Sequence, residues 1–134
     1  MREIKFRGRR SSGEWVYGFF FYNEDVNPDR KCILTFDITG CPRESRVDEE
    51  TVGQFTGLHD KNGKEIYEGD VLKFLYQDGF VTSVIEWSNE EAGWTIRHGF
   101  QQSEYDGRVF ELKPRHSPDI VVIDNIYDNP ELLK

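Results

Sequence analysis

Basic side chains are concentrated at the N-terminus, where their spacing suits contact with phosphate or carboxylate groups. The first ten residues hold five basic side chains against one acidic, a local charge of +4, and the rest of the chain carries −12. Lys5, Arg7 and Arg9 alternate, so in a strand they would share one face at steps of about 6–7 Å, comparable with phosphate spacing along one nucleic-acid strand. With Arg10, they are the candidate contacts for nucleic acid or for a neighbouring subunit.

Two other interpretations of these basic residues remain open. They can pair with acidic groups of the same chain or with the acidic C-terminal segment of a second subunit. They can also form a solvated edge strand whose charges deter aggregation. The choice depends on where the sheet places the N-terminal strand.

An aromatic run, Phe19, Phe20, Phe21 and Tyr22, is a second candidate contact surface. Alternate residues of a strand face opposite sides, so one pair of these rings is either covered by another layer or exposed. An exposed pair favours a protein–protein interface. Gly18, directly before the run, predicts a bulge or a close backbone approach.

No set of residues has the spacing of a metal site or a nucleophilic centre. The three histidines are isolated in the sequence, and neither Cys32 nor Cys41 has a neighbouring base. In a reducing compartment both cysteines are predicted to be free thiols. We therefore expect no cofactor, no metal, no catalytic residue and a protein that is not an enzyme.

Size and charge narrow the class of protein further. The chain has 134 residues and a net charge of −8, which suits one globular domain and argues against a protein that binds nucleic acid with its whole surface. Its apolar runs are far shorter than a membrane span, so no membrane partner is expected. The N-terminus lacks the apolar segment of a signal peptide, which predicts a cytoplasmic location.

Period-two patterns and turn residues predict a mainly β fold. Residues 47–97 read as a meander of closely spaced strands, which we interpret as a small bent barrel of SH3-like type. Residues 1–46 are predicted to form an N-terminal β layer, with a polar loop over Asn23–Arg30 before a strand over Lys31–Ile38. Asp106-Gly107 can join Gln101–Tyr105 to Arg108–Leu112 as a hairpin, although Gln101–Tyr105 also fits one helical turn.

The end of the chain carries two further signals. The apolar run Ile120–Ile123 predicts a buried strand, and Asn129-Pro130 predicts a final helical turn.

Glycine and aspartate recur through the middle of the chain at positions that suit tight turns. The residues are Gly57, Asp60, Asn62, Gly63, Gly69 and Asp70. A phosphate-binding loop needs Gly-Lys followed by Ser or Thr at the start of a helix, whereas Gly63-Lys64 precedes Glu65 in a hairpin-like segment. We interpret the set as a structural turn motif in which the carboxylates bond nearby backbone N–H groups.

Three blocks of sequence resemble the YopX-like family of phage and prophage proteins. They are Thr51–Val71 (TVGQFTGLHDKNGKEIYEGDV), Ile4–Gly8 with Trp15–Gly18, and Asn125–Leu133 (NIYDNPELL). Together they span nearly the whole chain in one order, as a single domain over residues 1–134. The resemblance implies a largely β protein with an SH3-like barrel, a phage or prophage origin, a bacterial host cytoplasm as location and a homo-oligomer. The resemblance identifies no catalytic residue, because the family has no assigned activity.

The residue patterns and the family resemblance together predict a non-enzymatic accessory protein that self-associates or binds a protein partner. The alternative is a nucleic-acid-binding accessory factor that uses the basic N-terminal strand.

Overall fold

Short strands separated by turns make up most of the chain. The computed structural model describes residues 3–23, 27–36, 38–76, 79–98, 109–111 and 120–133. The strands in these residues are β1 (Phe6–Arg9), β2 (Trp15–Asn23), β3 (Asn27–Phe36), β4 (Pro42–Arg46), β5 (Gly53–His59), β6 (Glu65–Tyr67), β7 (Asp70–Tyr76), β8 (Gly79–Ser88), β9 (Gly93–His98), β10 (Val109–Glu111) and β11 (Ile120–Asn125). Two 3-10 helices, Glu49–Thr51 and Pro130–Leu133, complete them. The mainly β prediction is confirmed.

The chain divides into two compact units, residues 1–55 and 56–134, with the boundary inside β5. The first sheet has six strands in the order β4-β3-β2-β1-β5-β6, and β1 to β4 belong to unit 1. Unit 2 also holds a five-stranded sheet in the order β10-β9-β8-β7-β11. All strand pairings recorded in the described residues are antiparallel.

In unit 1 the N-terminal strand lies inside the sheet. β1 pairs with β2 on one side, with Arg7 opposite Tyr17, and with β5 on the other, with Arg7 opposite Gly53. The edge-strand interpretation of the basic residues is therefore wrong, because both sides of β1 are hydrogen-bonded. The reason is the non-local pairing with β5, for which residues 1–10 carry no signal.

Gly18 allows the close backbone approach that the sequence predicts. A Cβ built at Gly18 would lie 2.1 Å from the carbonyl oxygen of Leu34 on β3. The approach occurs where β2 changes partner, since Gly18 is opposite Phe6 of β1 and Phe19 is opposite Leu34. A side chain at position 18 would separate the strands there.

Unit 1 differs from the sequence prediction in the start of one strand and in the presence of another. β3 begins at Asn27, so part of the predicted Asn23–Arg30 loop is strand. β4, with the sequence PRESR, was not predicted, because its residues show no apolar alternation. The structure explains this: β4 is the terminal strand of the order and four of its five residues are exposed.

Unit 2 contains the predicted meander as β7, β8 and β9, joined in sequence by hairpin pairing. The sheet is open in the part of the chain that the structure describes, because β10 and β11 are its outer strands, so the predicted barrel is not closed. Its core is formed by Ile66, Leu72, Ile85, Ile96, Ile120 and Val122, with Leu58 and Trp94 packed against them.

The C-terminal predictions hold in outline. The apolar run at Ile120 forms β11 beside β7, with a bulge between Val122 and Asp124 that leaves Ile123 exposed. The predicted final turn is the 3-10 helix that begins at Pro130. Of the possible Gln101–Leu112 hairpin, β10 forms, and the remainder lies outside the described residues. Within the described residues, no helix is long and apolar enough to cross a membrane.

Candidate functional site

Arg7 and Lys5 lie against aromatic rings rather than extending from the sheet. Arg7 is only 5% exposed, and its guanidinium carbon is 4.7 Å from the centre of the Trp15 ring. The ammonium of Lys5 lies 5.5 Å from the centre of the Phe55 ring and 3.3 Å from a carboxylate oxygen of Glu3. Both cations are thus held by cation–π contacts, which orient them and cover part of their charge.

The other two basic candidates have different surroundings. Arg9 is half-buried, and its backbone N–H donates to the hydroxyl of Thr51 at 2.8 Å. Arg10 is exposed at the end of the strand, with its guanidinium 3.3 Å from the carboxylate of Glu14. The four residues therefore do not form one open row of cations, although Lys5, Arg7 and Arg9 do alternate as predicted.

An exposed group of rings, Tyr17, Phe19 and Phe36, forms what we call the aromatic patch. Their exposed fractions are 45%, 54% and 56%. Tyr17 and Phe19 alternate along β2, and the ring of Phe19 meets that of Phe36 edge to face at a centroid distance of 6.4 Å. Of the predicted aromatic run, Phe19 belongs to the patch.

Phe20 and Phe21 of the predicted run have different surroundings from Phe19. Phe20 faces the other side of β2 and is 6.0 Å from the ring of Phe6. Phe21 is half-buried and lies opposite Cys32, and Tyr22 is at the register position opposite Lys31, with its side chain outside the described part. Sequence reasoning missed Phe36, because its contact with Phe19 depends on the β2–β3 register. Tyr17 is expected from the sequence as a ring beside the basic residues that is suited to stack on nucleic-acid bases.

Charged side chains share the face of the aromatic patch. The register places Arg7 opposite Tyr17, with Lys5 and Arg9 alternating on the same side of β1. On the other flank, β4 contributes Glu44, opposite Leu34, and Arg46, opposite Cys32. Among the described residues, basic side chains therefore outnumber acidic ones on this face. Unit 1 is nearly neutral, with nine basic and ten acidic residues, whereas unit 2 has eight and fifteen.

Asp60 holds the turn between β5 and β6. One carboxylate oxygen accepts the backbone N–H groups of Asn62 and Lys64, at 2.8 and 2.9 Å. The other accepts the N–H of Val122 on β11 at 3.0 Å. Burial raises the pKa of Asp60, but the bonds from Val122, Lys64 and Asn62, with the Lys64 charge, outweigh it and leave the pKa below the ordinary 3.8.

Backbone conformation and hydrogen bonding also explain other residues of the turn motif. Gly57, Gly63 and Gly69 have φ values of 87°, 82° and 88°, which favour glycine. The carboxylate of Asp70 accepts the N–H of Tyr67 at 2.8 Å across the β6–β7 turn.

Gly69 and Asn125 connect this turn to the end of β11. The N–H of Gly69 donates to Ile85, its carbonyl accepts from Ile126, and a Cβ there would lie 2.8 Å from the Tyr127 ring. The amide oxygen of Asn125 accepts the N–H groups of Tyr127 and Asp128. These contacts account for the motif as framework, with no ligand needed to explain them.

Groups that could bind metal or act as a nucleophile are dispersed in the described residues. No group of three or more His, Cys, Asp or Glu side chains lies together there. Cys32 is buried and Cys41 exposed, and neither forms a disulfide. Of the histidines, His59 is exposed on β5, while the side chains of His98 and His116 lie outside the described part.

Comparison with known proteins places this fold in a family. A search of curated proteins found no match. The crystal structure of protein EF1440 from Enterococcus faecalis is similar over 100% of both chains, with a TM-score of 0.57 and 22% identity, which shows a shared fold. The family model described as YopX protein matches residues 5–134, nearly the whole chain. The resemblance seen in the sequence is thereby confirmed, and the chain belongs to the YopX family.

Proposed function

We propose that this protein is a non-enzymatic binding module that docks an acidic, extended segment of a partner protein onto the aromatic patch. The observation that carries the proposal is the contiguous exposure of Tyr17, Phe19 and Phe36 on a sheet face that also bears basic side chains. A phage or prophage setting in the host cytoplasm belongs to the same proposal and rests on the family resemblance.

The aromatic patch has the composition of a contact surface. Aromatic residues are enriched at protein interfaces, and contiguous exposed apolar area on a soluble protein is typical of a binding site. Among the described residues, five of the seven large hydrophobic side chains that are exposed belong to unit 1, and three of them form the patch. The exposed apolar surface is thus concentrated in one unit rather than scattered.

The charges beside the aromatic patch favour a partner with acidic side chains. Among the described residues of this face, the basic Lys5, Arg7, Arg9 and Arg46 outnumber the acidic Glu3 and Glu44. Arg46 is exposed and Arg9 is half-buried, so these two side chains can reach a partner carboxylate, whereas Arg7 is only 5% exposed and contributes its positive charge from beneath the surface. An extended segment that alternates acidic and apolar side chains complements both features.

A second candidate is a single-stranded nucleic acid, which also uses exposed aromatic rings beside basic side chains. The proximity of Tyr17 and Phe19 to the basic strand favours it. The burial of Arg7 and the contact of Lys5 with Glu3 weigh against it, because phosphate contacts need cations that reach the backbone. We therefore rank the protein segment first.

Fluorescence anisotropy with two probes separates the candidates. The probes are a labelled peptide alternating glutamate with phenylalanine and a labelled oligo-deoxythymidine of similar length. We expect the peptide to bind, and Phe19→Ala to weaken that binding about tenfold, as for a central interface ring. The matched control is Ile123→Ala, which removes an exposed apolar side chain in unit 2 and leaves binding unchanged.

Each other result rejects the proposal. Binding of the oligonucleotide but not the peptide would favour the nucleic-acid candidate. Binding of neither probe, or equal loss in both variants, would mean that the aromatic patch is not the docking surface.

A further inference from the structure

The outer edge of unit 1 has the geometry of a self-pairing strand. We infer that two copies of this chain join through β4, in an antiparallel register that places Glu44 of each copy opposite Arg46 of the other. This goes beyond the proposed function, because the site is a strand edge rather than a sheet face and the occupant is a second copy.

Four of the five residues of β4 are exposed. The strand is the terminal one of its sheet in the described residues, where it pairs with β3 from Cys32–Arg46 to Phe36–Pro42. Glu44 and Arg46 are both exposed. A terminal strand presents backbone N–H and C=O groups on its outer side, which can pair with another strand.

The register with β3 identifies which backbone groups face outward. Val47, which directly follows β4, donates its N–H to the carbonyl of Lys31 at 3.1 Å. Along an antiparallel strand the backbone groups of successive residues face opposite sides. Those of Ser45 and Arg43 therefore face β3, and those of Glu44 and Arg46 face away from it.

Two-fold symmetry restricts how two β4 strands can pair. Residues directly opposite each other must lie on the same face of the joined sheet, so the axis passes through a residue position rather than between two. An axis at Glu44 places Glu44 against itself, which is repulsive. An axis at Ser45 places Glu44 opposite Arg46 twice, and opposite charges across strands are favourable.

The register centred on Ser45 also satisfies the backbone. Glu44 and Arg46 both have outward-facing groups, so each Glu44–Arg46 pair exchanges two hydrogen bonds, giving four across the interface. Ser45 of the two copies then forms a pair without hydrogen bonds, with the Cα atoms about 4.5 Å apart. Charges on an edge strand normally discourage pairing, but here they discourage only the wrong register.

The joined sheet would bring two aromatic patches onto one face. A two-fold axis perpendicular to the sheet keeps equivalent faces on the same side, and Glu44 shares the face of Phe19 and Phe36 through the β2–β3–β4 register. Two copies would therefore present the patch twice to one partner.

Disulfide trapping tests the register directly. In the full chain with Cys41→Ser, which removes the exposed native thiol, we introduce Ser45→Cys or, as the matched control, Glu44→Cys. A Cα separation of about 4.5 Å falls within the range that a disulfide spans. We expect Ser45→Cys to give a covalent dimer under mild oxidation, and Glu44→Cys to remain monomeric on a non-reducing gel. Trapping through Glu44→Cys instead, or through neither variant, would overturn the register.

Charge exchange tests the same pairing without a cross-link. We expect Glu44→Arg to weaken dimerisation about tenfold, because it turns two attractive pairs into repulsive ones, and adding Arg46→Glu to restore it. Sedimentation velocity over a range of concentrations measures both, with circular dichroism to establish that each variant is folded. A wild-type chain that stays monomeric throughout, or a single variant that dimerises as well as wild type, would refute the inference. Peptide binding by a monomeric chain would leave the proposed function intact.

Discussion

A carboxylate oxygen of Asp60 accepts the backbone N–H of Val122 at 3.0 Å, although the two residues are 62 positions apart in the chain. The neighbouring backbone strengthens the link, because the N–H of Lys61 donates to the carbonyl of Ile120 at 3.0 Å. One side chain therefore shapes the turn after β5 and also fixes β11 to it.

Loss of this carboxylate should destabilise unit 2. We expect Asp60→Ala to lower the free energy of unfolding by about 3 kcal/mol, because three N–H groups lose a charged acceptor and one of them belongs to buried Val122. Urea denaturation measures the change. Lys61→Ala is the control, since it removes an exposed side chain and keeps the backbone bond. A loss below about 1 kcal/mol at position 60 would contradict the assigned role.

Asp60 should also make stability depend on pH. Its pKa is lower in the folded protein than the ordinary 3.8, so the unfolded chain binds the proton more readily. The stabilisation is fully present above the unfolded pKa and is lost as the pH falls through the folded pKa. We expect the stability difference between wild type and Asp60→Asn to shrink as the pH is lowered from about 6 to about 3. A difference that stays constant over that range would show that another group governs the acid response.

Gly63 and Gly69 have similar φ values, so alanine substitutions at the two positions distinguish the cost of backbone strain from the cost of a steric clash. At Gly63 a Cβ meets nothing within 4 Å, whereas at Gly69 it would lie 2.8 Å from the Tyr127 ring. Gly63→Ala should cost about 1 kcal/mol for the left-handed conformation, and Gly69→Ala about 1–3 kcal/mol more for the clash. Thermal denaturation compares them. The excess at Gly69 should vanish in a Tyr127→Ala background, and its persistence would assign it to something other than the ring.

The amide of Asn125 should not tolerate replacement by a carboxylate. Its oxygen accepts two backbone N–H groups, while its nitrogen donates to a carboxylate oxygen of Asp128 at 3.0 Å. Asn125→Asp keeps the acceptor but opposes two carboxylates, so we expect a loss of about 2 kcal/mol. Adding Asp128→Asn should recover most of it, as measured by a double-mutant cycle from urea denaturation. Purely additive losses would rule out the direct contact.

Much of the fold could be predicted because its signals are local. The meander from β7 to β9 follows from turn residues such as Asp78-Gly79 and from alternation within each strand. The position of β1 between β2 and β5 could not be predicted, since it depends on residues more than forty positions away. β4 was missed for a related reason: an exposed outer strand does not need an apolar face, so its sequence lacks the usual pattern.

The candidate site was less accessible to sequence reasoning. The alternation of Lys5, Arg7 and Arg9 predicts a shared face. Whether their side chains are solvated or pack against aromatic rings depends on the neighbouring strands. Arg7 is buried against Trp15, a partner brought close by the β1–β2 register. The contact between Phe19 and Phe36 likewise appears only once β2 and β3 are aligned.

The placement of β11 beside β7 has a consequence for the order of folding. While the chain is being synthesised, β7 to β9 emerge first, and the side of β7 that pairs with β11 stays open until Ile120–Asn125 has been made. Ile120 and Val122 are part of the core, so that core is incomplete until then. Contacts over such sequence separations form slowly because a long loop must close first. Unit 2 should therefore acquire protease resistance only when its last strand arrives, whereas the pairings described among β1 to β5 involve residues no later than Gln54.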